Sequence, residues 1–569
     1  MNQPIPTVDT FMNLNWIEIE PYYQELLTAK VVSASVETWL KAWSELRKRV
    51  DETYARLQLA NAQDTSNAEA EKRYHHFLSE VYPHIQASDQ LLKEKLLRSK
   101  LQPAGMELPL RNMNAEAEIF SSENLPILTR ERKTSSEYNK IIGAQTVPWE
   151  GKELTLTQLE VYADTPDRKI REKTWRLAAD RRLKDRQALN DIWEKLIALR
   201  LQIANNAGMP DYRTYQWKQL HRFDYTPEDC AQFQDAIEKV VVPAVKKVYE
   251  KLCRNLGIDR LRPWDLHSDL YTIHFPSLHP YQDTREFIDT TARIFQNLHP
   301  KLGDYFDTMR KRNLLDLDNR KGKSPGGFCT SFATQGVPFI FMNAVGLETD
   351  VRVLLHESGH AFHVFERTHL PYHHQWRAGM EFNEVASTAM ELLTSPYLDR
   401  KAGGFYNTQD AARARIQHLE SKLVFWPYMA TVDAFQHWAY LHPEQAKNPN
   451  NCDAKWSELT DRFMPFVDWD GLEDVKATGW HRKPHIFRYP FYYIEYGLSL
   501  LGAVQIWGNA TRDQHRAVKQ YLEALALGGT ASITQLYATA GAKLAFDENT
   551  LKDAVDLILT TIEELEKTA

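Results

Sequence analysis

The sequence predicts a mainly α fold, and three observations carry that prediction. Long stretches place apolar residues at helical spacing between charges, strand-like alternation is scarce, and turn residues fall where the helical pattern stops. Residues 21–60 carry Leu26, Leu27 and Val31, then Leu40, Trp43 and Leu46. Residues 67–100 repeat the style, punctuated by Pro83. Residues 167–207 form a long pattern through Trp175, Leu177, Leu183, Leu189, Ile192, Leu196 and Leu199, which Asn205, Asn206, Gly208 and Pro210 bring to a stop.

Strand signals are few. Lys152–Thr157 alternates briefly. Phe328–Phe332 and Val337–Asn343 read as two short strands around the Gln335-Gly336 turn, after the turn-like Ser324-Pro325-Gly326-Gly327. Pro338 cannot donate a ladder hydrogen bond, so its strand is expected at a sheet edge or to begin there. Such an edge could pair with an extended peptide, although an ordinary small hairpin is the commoner arrangement. Beyond residue 343 the helical pattern resumes. A boundary near 200 is expected between an N-terminal helical lobe, 1–200, and a larger body, 201–569, the two packed together rather than strung on a linker.

The chain has 569 residues, 43% hydrophobic and 25% charged, enough to bury a sizeable core. Its net charge of -7 argues against a nucleic-acid partner, and basic runs such as Arg181–Arg186 are interleaved with acids, as on solvated helix faces. The four cysteines, Cys230, Cys253, Cys329 and Cys452, form no CxxC pair and read as reduced thiols. The N-terminal residues lack a basic and then apolar signal pattern, and no stretch approaches the roughly 18 apolar residues of a membrane span. A cytoplasmic address is expected.

Residues 351–366 read VRVLLHESGHAFHVFE and contain H-E-x-x-H as His356, Glu357, Ser358, Gly359 and His360. On a helix, i and i+4 share a face, so both imidazoles can reach one Zn²⁺ while Glu357 stands beside them as a proton acceptor. By chance alone such a motif arises in roughly a few per cent of chains this long, so context decides. The apolar flanks, including Leu354, Leu355, Ala361 and Phe362, make this a mostly buried helix. Catalytic zinc takes three protein ligands and keeps one position open. Residues 379–393, GMEFNEVASTAMELL, offer Glu381 and Glu384 as the third. Glu384, Ser387 and Glu391 stand at i, i+3 and i+7 on one face, where a ligand and a group orienting an imidazole could both sit. His363, one turn after His360, is either such an orienting group or a core histidine. His369, His373 and His374 read as loop histidines. Further on, residues 480–498 gather His481, His485, Tyr489, Tyr492, Tyr493 and Tyr496. Clustered tyrosines usually mark a core edge, but beside a zinc site their phenols, with an imidazole, could stabilise the negative charge that develops on an amide carbonyl. Pro490 places Tyr489 in the lead-in to any helix there.

Together these segments resemble the thimet oligopeptidase and oligoendopeptidase F family of zinc metallopeptidases, most of all its bacterial Pz-peptidase-like branch. The resemblance runs from about Leu201 onward, with an N-terminal lobe of compatible length and helicity. The family's metal helix, H-E-x-G-H-x-x-H, matches His356, Glu357, Gly359, His360 and His363. Its third ligand, followed by Ser at +3 and Glu at +7, selects Glu384 over Glu381. Its histidine and tyrosine donors match His485, Tyr493 and Tyr496, with Tyr489 and Tyr492 as further members of the cluster. Its substrate-pairing β-segment matches Gly326–Asn343. One departure is that Ile486–Pro490 replaces a glycine-rich loop of the thimet branch, which shortens the gap before the tyrosines and implies a stiffer connection.

The resemblance implies a mainly α, two-lobed, neurolysin-like fold enclosing a deep substrate channel, with a small β-sheet near the active site. It implies one Zn²⁺ per chain held by His356, His360 and Glu384, and Glu357 as general base. The implied activity is endopeptidase cleavage of short unfolded peptides. The expected partners are those peptides, with no nucleic acid and no membrane, and a monomer is the default with an oligomer left open. An exopeptidase of metallocarboxypeptidase or dipeptidase type shares the zinc chemistry and is the alternative. A non-catalytic peptide-binding protein would be expected to lack a ligand or the base, and none is missing.

Overall fold

A computed structural model describes residues 4–160, 162, 165–266 and 277–569. Helices dominate, and the described residues contain five short strands: β1 (Thr146–Trp149), β2 (Lys152–Thr155), β3 (Leu315–Asp318), β4 (Phe328–Phe332) and β5 (Val337–Ala344). The mainly α expectation is met. The described chain divides into two compact units, each assembled from three stretches: residues 1–117, 278–411 and 502–544 in the first, and 118–277, 412–501 and 545–569 in the second. The boundary expected near 200 falls within the helix Arg186–Asn206. Compact units follow contacts between distant stretches, which local patterning does not report.

In the first unit, a core of Trp39, Leu40, Trp43, Leu46 and Val50 on the helix Val36–Gln63 packs with Ile85, Leu92 and Leu96. Pro83 does not break its helical run. The backbone passes through a π-helical turn, Phe77–Val81, and continues as Tyr82–Ser99, which accommodates a residue that cannot donate within the ladder.

The three-stranded sheet of the first unit has the order β3-β5-β4. β4 and β5 form the expected hairpin, in antiparallel register from Phe328↔Phe341 to Phe332↔Val337. Its turn passes through Gly336 at φ +63°, a left-handed conformation that glycine takes without a Cβ clash. Of the two expectations for the Pro338 strand, the edge is corrected, because β5 is the central strand, flanked by β4 and by the parallel β3, while the strand does begin at Val337, next to the proline. Pro338 is tolerated because pairing to β3 begins only at Leu315↔Ile340, two residues later, so its missing N–H faces the side where no ladder yet runs. The edge strands are β3 and β4. The helix Val36–Gln63 grips this hairpin: Glu52, fully buried, accepts the backbone N–H of Thr334 at 2.8 Å, and the Arg56 guanidinium lies 4.7 Å from the Phe332 ring centroid.

In the second unit, β1 and β2 form an antiparallel hairpin. Trp193, Phe435, Trp480 and Phe487 build an aromatic core. The helix Pro227–Ala236 leads through a π turn, Ile237–Val241, into Val242–Leu256, again where a proline, Pro243, must be absorbed.

Candidate metal centre

The metal helix, Glu348–Arg367, starts where Asp350 gathers the backbone N–H groups of Val345, Gly346 and Leu347 at 2.8, 2.8 and 2.9 Å. A carboxylate in the first turn satisfies donors that would otherwise be orphaned and complements the helix dipole. Val351, Leu354, Leu355, Ala361 and Phe362 are buried, which turns the remaining face, with His356 and His360, toward the partner helix Met380–Thr394. The two helices meet at Gly359. A Cβ there would lie 2.4 Å from the Ala386 carbonyl oxygen and 2.5 Å from the Ser387 Cα. Only a residue without a side chain permits this approach, and the approach carries Glu384 to the histidines.

His356 Nε2 is 3.6 Å and His360 Nε2 4.0 Å from Glu384 Oε2. All three ligand atoms lie within 4.8 Å of one another. A tetrahedral Zn²⁺ with arms of about 2.05 Å holds neighbouring donors about 3.3 Å apart, so this triangle needs only a small contraction. Glu384, and not Glu381, is the glutamate of the group.

Glu391 Oε1 stands 2.7 Å from His356 Nδ1. That contact fixes the ring proton on Nδ1 and leaves the Nε2 lone pair for a cation. Burial pulls the His356 pKa down, but the hydrogen bond to Glu391 and the charges of Glu391, Glu384 and Glu357 outweigh it, leaving the pKa above the ordinary value. Burial, then the neighbouring His356, lowers His360 to about 3, so it is a neutral imidazole with a lone pair to give. Two imidazole nitrogens and one carboxylate oxygen are a donor set that fits zinc.

Glu357 is 9% exposed. Burial lifts its carboxyl, His356 opposes this, Glu384 adds to it, and the Cys329 backbone N–H donates to it, leaving the pKa near about 7. The Cys329 contact also ties the sheet to the site, because its N–H points out of the β4 edge. The sheet expected near the site is therefore directly beside it, with β4 as the strand concerned.

His363 is buried and hydrogen-bonds Asn383, next to Glu384, and burial holds its pKa far below the usual range. It joins the two helices one turn away from the ligand triangle. His373 is 3.0 Å from Asp51, and His374 packs on Trp43 at 4.2 Å, so both are structural.

In the second unit, His485 is ringed by tyrosines: centroid distances are 4.9 Å to Tyr493, 5.8 Å to Tyr492, 5.9 Å to Tyr496 and 6.1 Å to Tyr489. Tyr489 precedes the helix Tyr493–Ala510 and is 48% exposed, as its proline neighbour predicts. Burial, then Lys483 and Arg488, lowers His485 to about 4, so the ring is neutral at physiological pH and carries one N–H to donate. Its Nδ1 is buried without a hydrogen-bond partner. Burial raises Tyr493, which keeps it a phenol and a donor.

Two supports of this cluster carry no local sequence signal. The wholly buried Arg200 donates to the carbonyls of Ile486 and Phe487, at 3.3 and 2.5 Å, and pairs with Glu131 at 2.7 Å. It thereby caps the short helix Pro484–Arg488 that presents His485. Phe491 adopts φ +64°, a left-handed conformation costing roughly 1–2 kcal/mol in a residue with a side chain. It is held there by Arg222 Nη2 on its carbonyl, at 2.5 Å, and by Gln436 Oε1, which accepts its N–H at 2.7 Å. Arg222 also pairs with Glu495 at 2.7 Å, fixing the entry to the tyrosine helix.

A helical body with H-E-x-x-H on one helix and a glutamate of the next helix grouped with its histidines is a site of metallopeptidase type. Comparison with known proteins agrees. Residues 161–555 match the profile of Peptidase family M3, and residues 10–107 match that of the Peptidase M3 N-terminal domain. The chain belongs to peptidase family M3. It is similar to a solved structure of Pz peptidase A with inhibitor 2, at 26% identity and a TM-score of 0.87 over 98% of each chain. An oligoendopeptidase F homolog of Borreliella burgdorferi is 22% identical over 52% of this chain and 50% of its own length. One from Lactococcus lactis subsp. lactis is 23% identical over 57% of this chain and 52% of its own length. The chain thus spans about half the length of the curated relatives it matches. No helix among the described residues is long and apolar enough to cross a membrane.

Proposed function

We propose that this chain is a zinc-dependent oligoendopeptidase that hydrolyses internal bonds of short peptides. The observation that carries the reading is the pairing of the ligand triangle His356, His360 and Glu384 with an adjoining buried carboxyl, Glu357. Zinc, when bound, supplies Lewis acidity and makes a water easier to deprotonate. Glu357 takes the proton of the attacking water and returns it to the leaving amine. Glu391 orients His356 throughout. His485, Tyr493 and Tyr496 are assigned as hydrogen-bond donors to the carbonyl oxygen as it gains charge. Membership of the family and the neutral, proton-bearing state of His485 and Tyr493 support that role.

The peptide is proposed to add to the open edge of β4. On this edge strand, residues two apart direct their main-chain groups outward; the Cys329 N–H is taken by Glu357, which leaves its carbonyl and the groups of Ser331 to pair. Cleavage within the peptide, rather than from its ends, rests on the resemblance and on the names of the relatives. An internally quenched peptide blocked at both termini tests it, since an exopeptidase leaves that peptide intact. The base role is tested by Glu357→Gln, expected to keep zinc while losing activity by several orders of magnitude. Near-normal turnover with stoichiometric zinc in that variant would refute it.

A further inference from the structure

The second unit contains another group of metal-ligating side chains, Cys230, Asp433 and His437, whose ligand atoms lie within 4.8 Å of one another. Asp433 and His437 stand at i and i+4 on the helix Thr408–Leu441 and therefore share a face. Cys230 faces them from the helix Pro227–Ala236. Cys230 and Asp433 are wholly buried, and His437 is 9% exposed.

The hydrogen bonding of this cluster is incomplete. Gln234 Nε2 donates to Asp433 Oδ2 at 2.8 Å, but Asp433 Oδ1 has no hydrogen-bond partner. His437 Nε2 is 3.5 Å from Asp433 Oδ2, without the alignment of a hydrogen bond, and is likewise unpartnered. A buried carboxylate oxygen without a donor is costly. The flanking Trp217 and Phe491 rings, 5.8 and 5.2 Å from the imidazole, do not relieve that cost.

We propose that Cys230, Asp433 and His437 bind a second zinc ion, apart from the first group. A thiolate, a carboxylate and a neutral imidazole are ligands that zinc takes together, and their two negative charges cancel those of the ion. A neutral assembly is what a fully buried position favours. The donors must draw together by roughly 1 Å to reach zinc-ligand separations. Arg213 Nη1 lies 3.5 Å from His437 Nδ1, the loose limit of a hydrogen bond. Ligation through Nε2 moves the ring proton to Nδ1 and gives up that weak contact. The cluster lies directly behind Phe491, whose N–H bonds Gln436 on the same helix as Asp433 and His437. An ion there would stiffen the support of the tyrosine segment.

The test uses the full-length chain expressed with zinc supplied. The double variant His356→Ala/His360→Ala removes two ligands of the first group and is expected to retain one zinc per chain, which Cys230→Ser then abolishes. Reconstituting the double variant with Co²⁺ is expected to give a sulfur-to-cobalt charge-transfer band in the near ultraviolet, which a group without sulfur cannot produce. A double variant that binds no zinc and shows no such band overturns the proposal. That outcome leaves Cys230 intact, so it does not depend on whether Cys230→Ser folds, and it is independent of whether the first group acts on peptides.

Discussion

Replacing Gly359 by alanine tests whether the crossing of the two helices sets the metal centre. The added methyl would sit 2.4 Å from the Ala386 carbonyl oxygen and 2.5 Å from the Ser387 Cα, both backbone atoms that no rotamer change can move. Ordinary contact lies near 3.4 Å, so the helices must separate by about 1 Å. Glu384 rides on the displaced helix, and its 4.0 Å separation from His360 Nε2 would widen toward about 5 Å, too far for one ion to bridge without strain. In an unobstructed helix, Gly→Ala stabilises by about 1 kcal/mol. Overpacking at the crossing costs about 1–3 kcal/mol. The two effects have opposite signs, so the sign of the change decides between them. Thermal unfolding is expected to shift down by a few degrees, at roughly 2–4 °C per kcal/mol for a unit of this size. Zinc affinity should fall, and kcat/KM should drop about 100-fold, the scale of a 1 Å misplacement. A variant with a raised Tm, unchanged zinc affinity and normal turnover would refute the reasoning.

Other expectations concern single groups. Glu391→Gln removes the carboxylate at His356 Nδ1 and should weaken zinc binding about 10–100-fold, measured by competition with a chelator. Tyr496→Phe should lower kcat by about 100-fold while leaving zinc content unchanged, the signature of a lost donor to the carbonyl oxygen; equal kcat would remove Tyr496 from the site. Asp316 has its pKa lowered to about 2, where bonds from Arg320, Gln63 and Lys323 outweigh the effect of burial. A depressed folded-state pKa stabilises above the unfolded value of about 3.9 and loses that contribution as pH falls through the folded one. The stability gap between the wild type and Asp316→Asn, up to about 2 kcal/mol by the same linkage, should therefore hold at pH 5 and close toward pH 2 in denaturant titrations.

What the sequence made legible follows from range. The helix with H-E-x-x-H could be read because that spacing and the helical period are both local, whereas Glu384 was separated from Glu381 by the resemblance, and it is the glutamate that joins the candidate group. The β4–β5 hairpin was legible for the same reason. β3 was not: Leu315–Asp318 is only four residues long and becomes a strand through parallel pairing with β5. Missing it made β5 look like an edge. Arg200 gave no signal either, since its partners Glu131, Tyr440 and Phe487 are distant in sequence and meet only in the folded unit. The left-handed Phe491 was equally hidden, because its conformation is imposed by Arg222 and Gln436 against its own preference.

The contact between Cys329 and Glu357 has a consequence for how this site tolerates variation. The donor is the main chain, so the thiol contributes nothing to that bond, and a side chain of similar size at position 329 keeps the donor in place. Proline alone would delete the donor. The Glu357 carboxyl is therefore steadied by a group that side-chain truncation does not remove, and a survey of such truncations would pass over that residue.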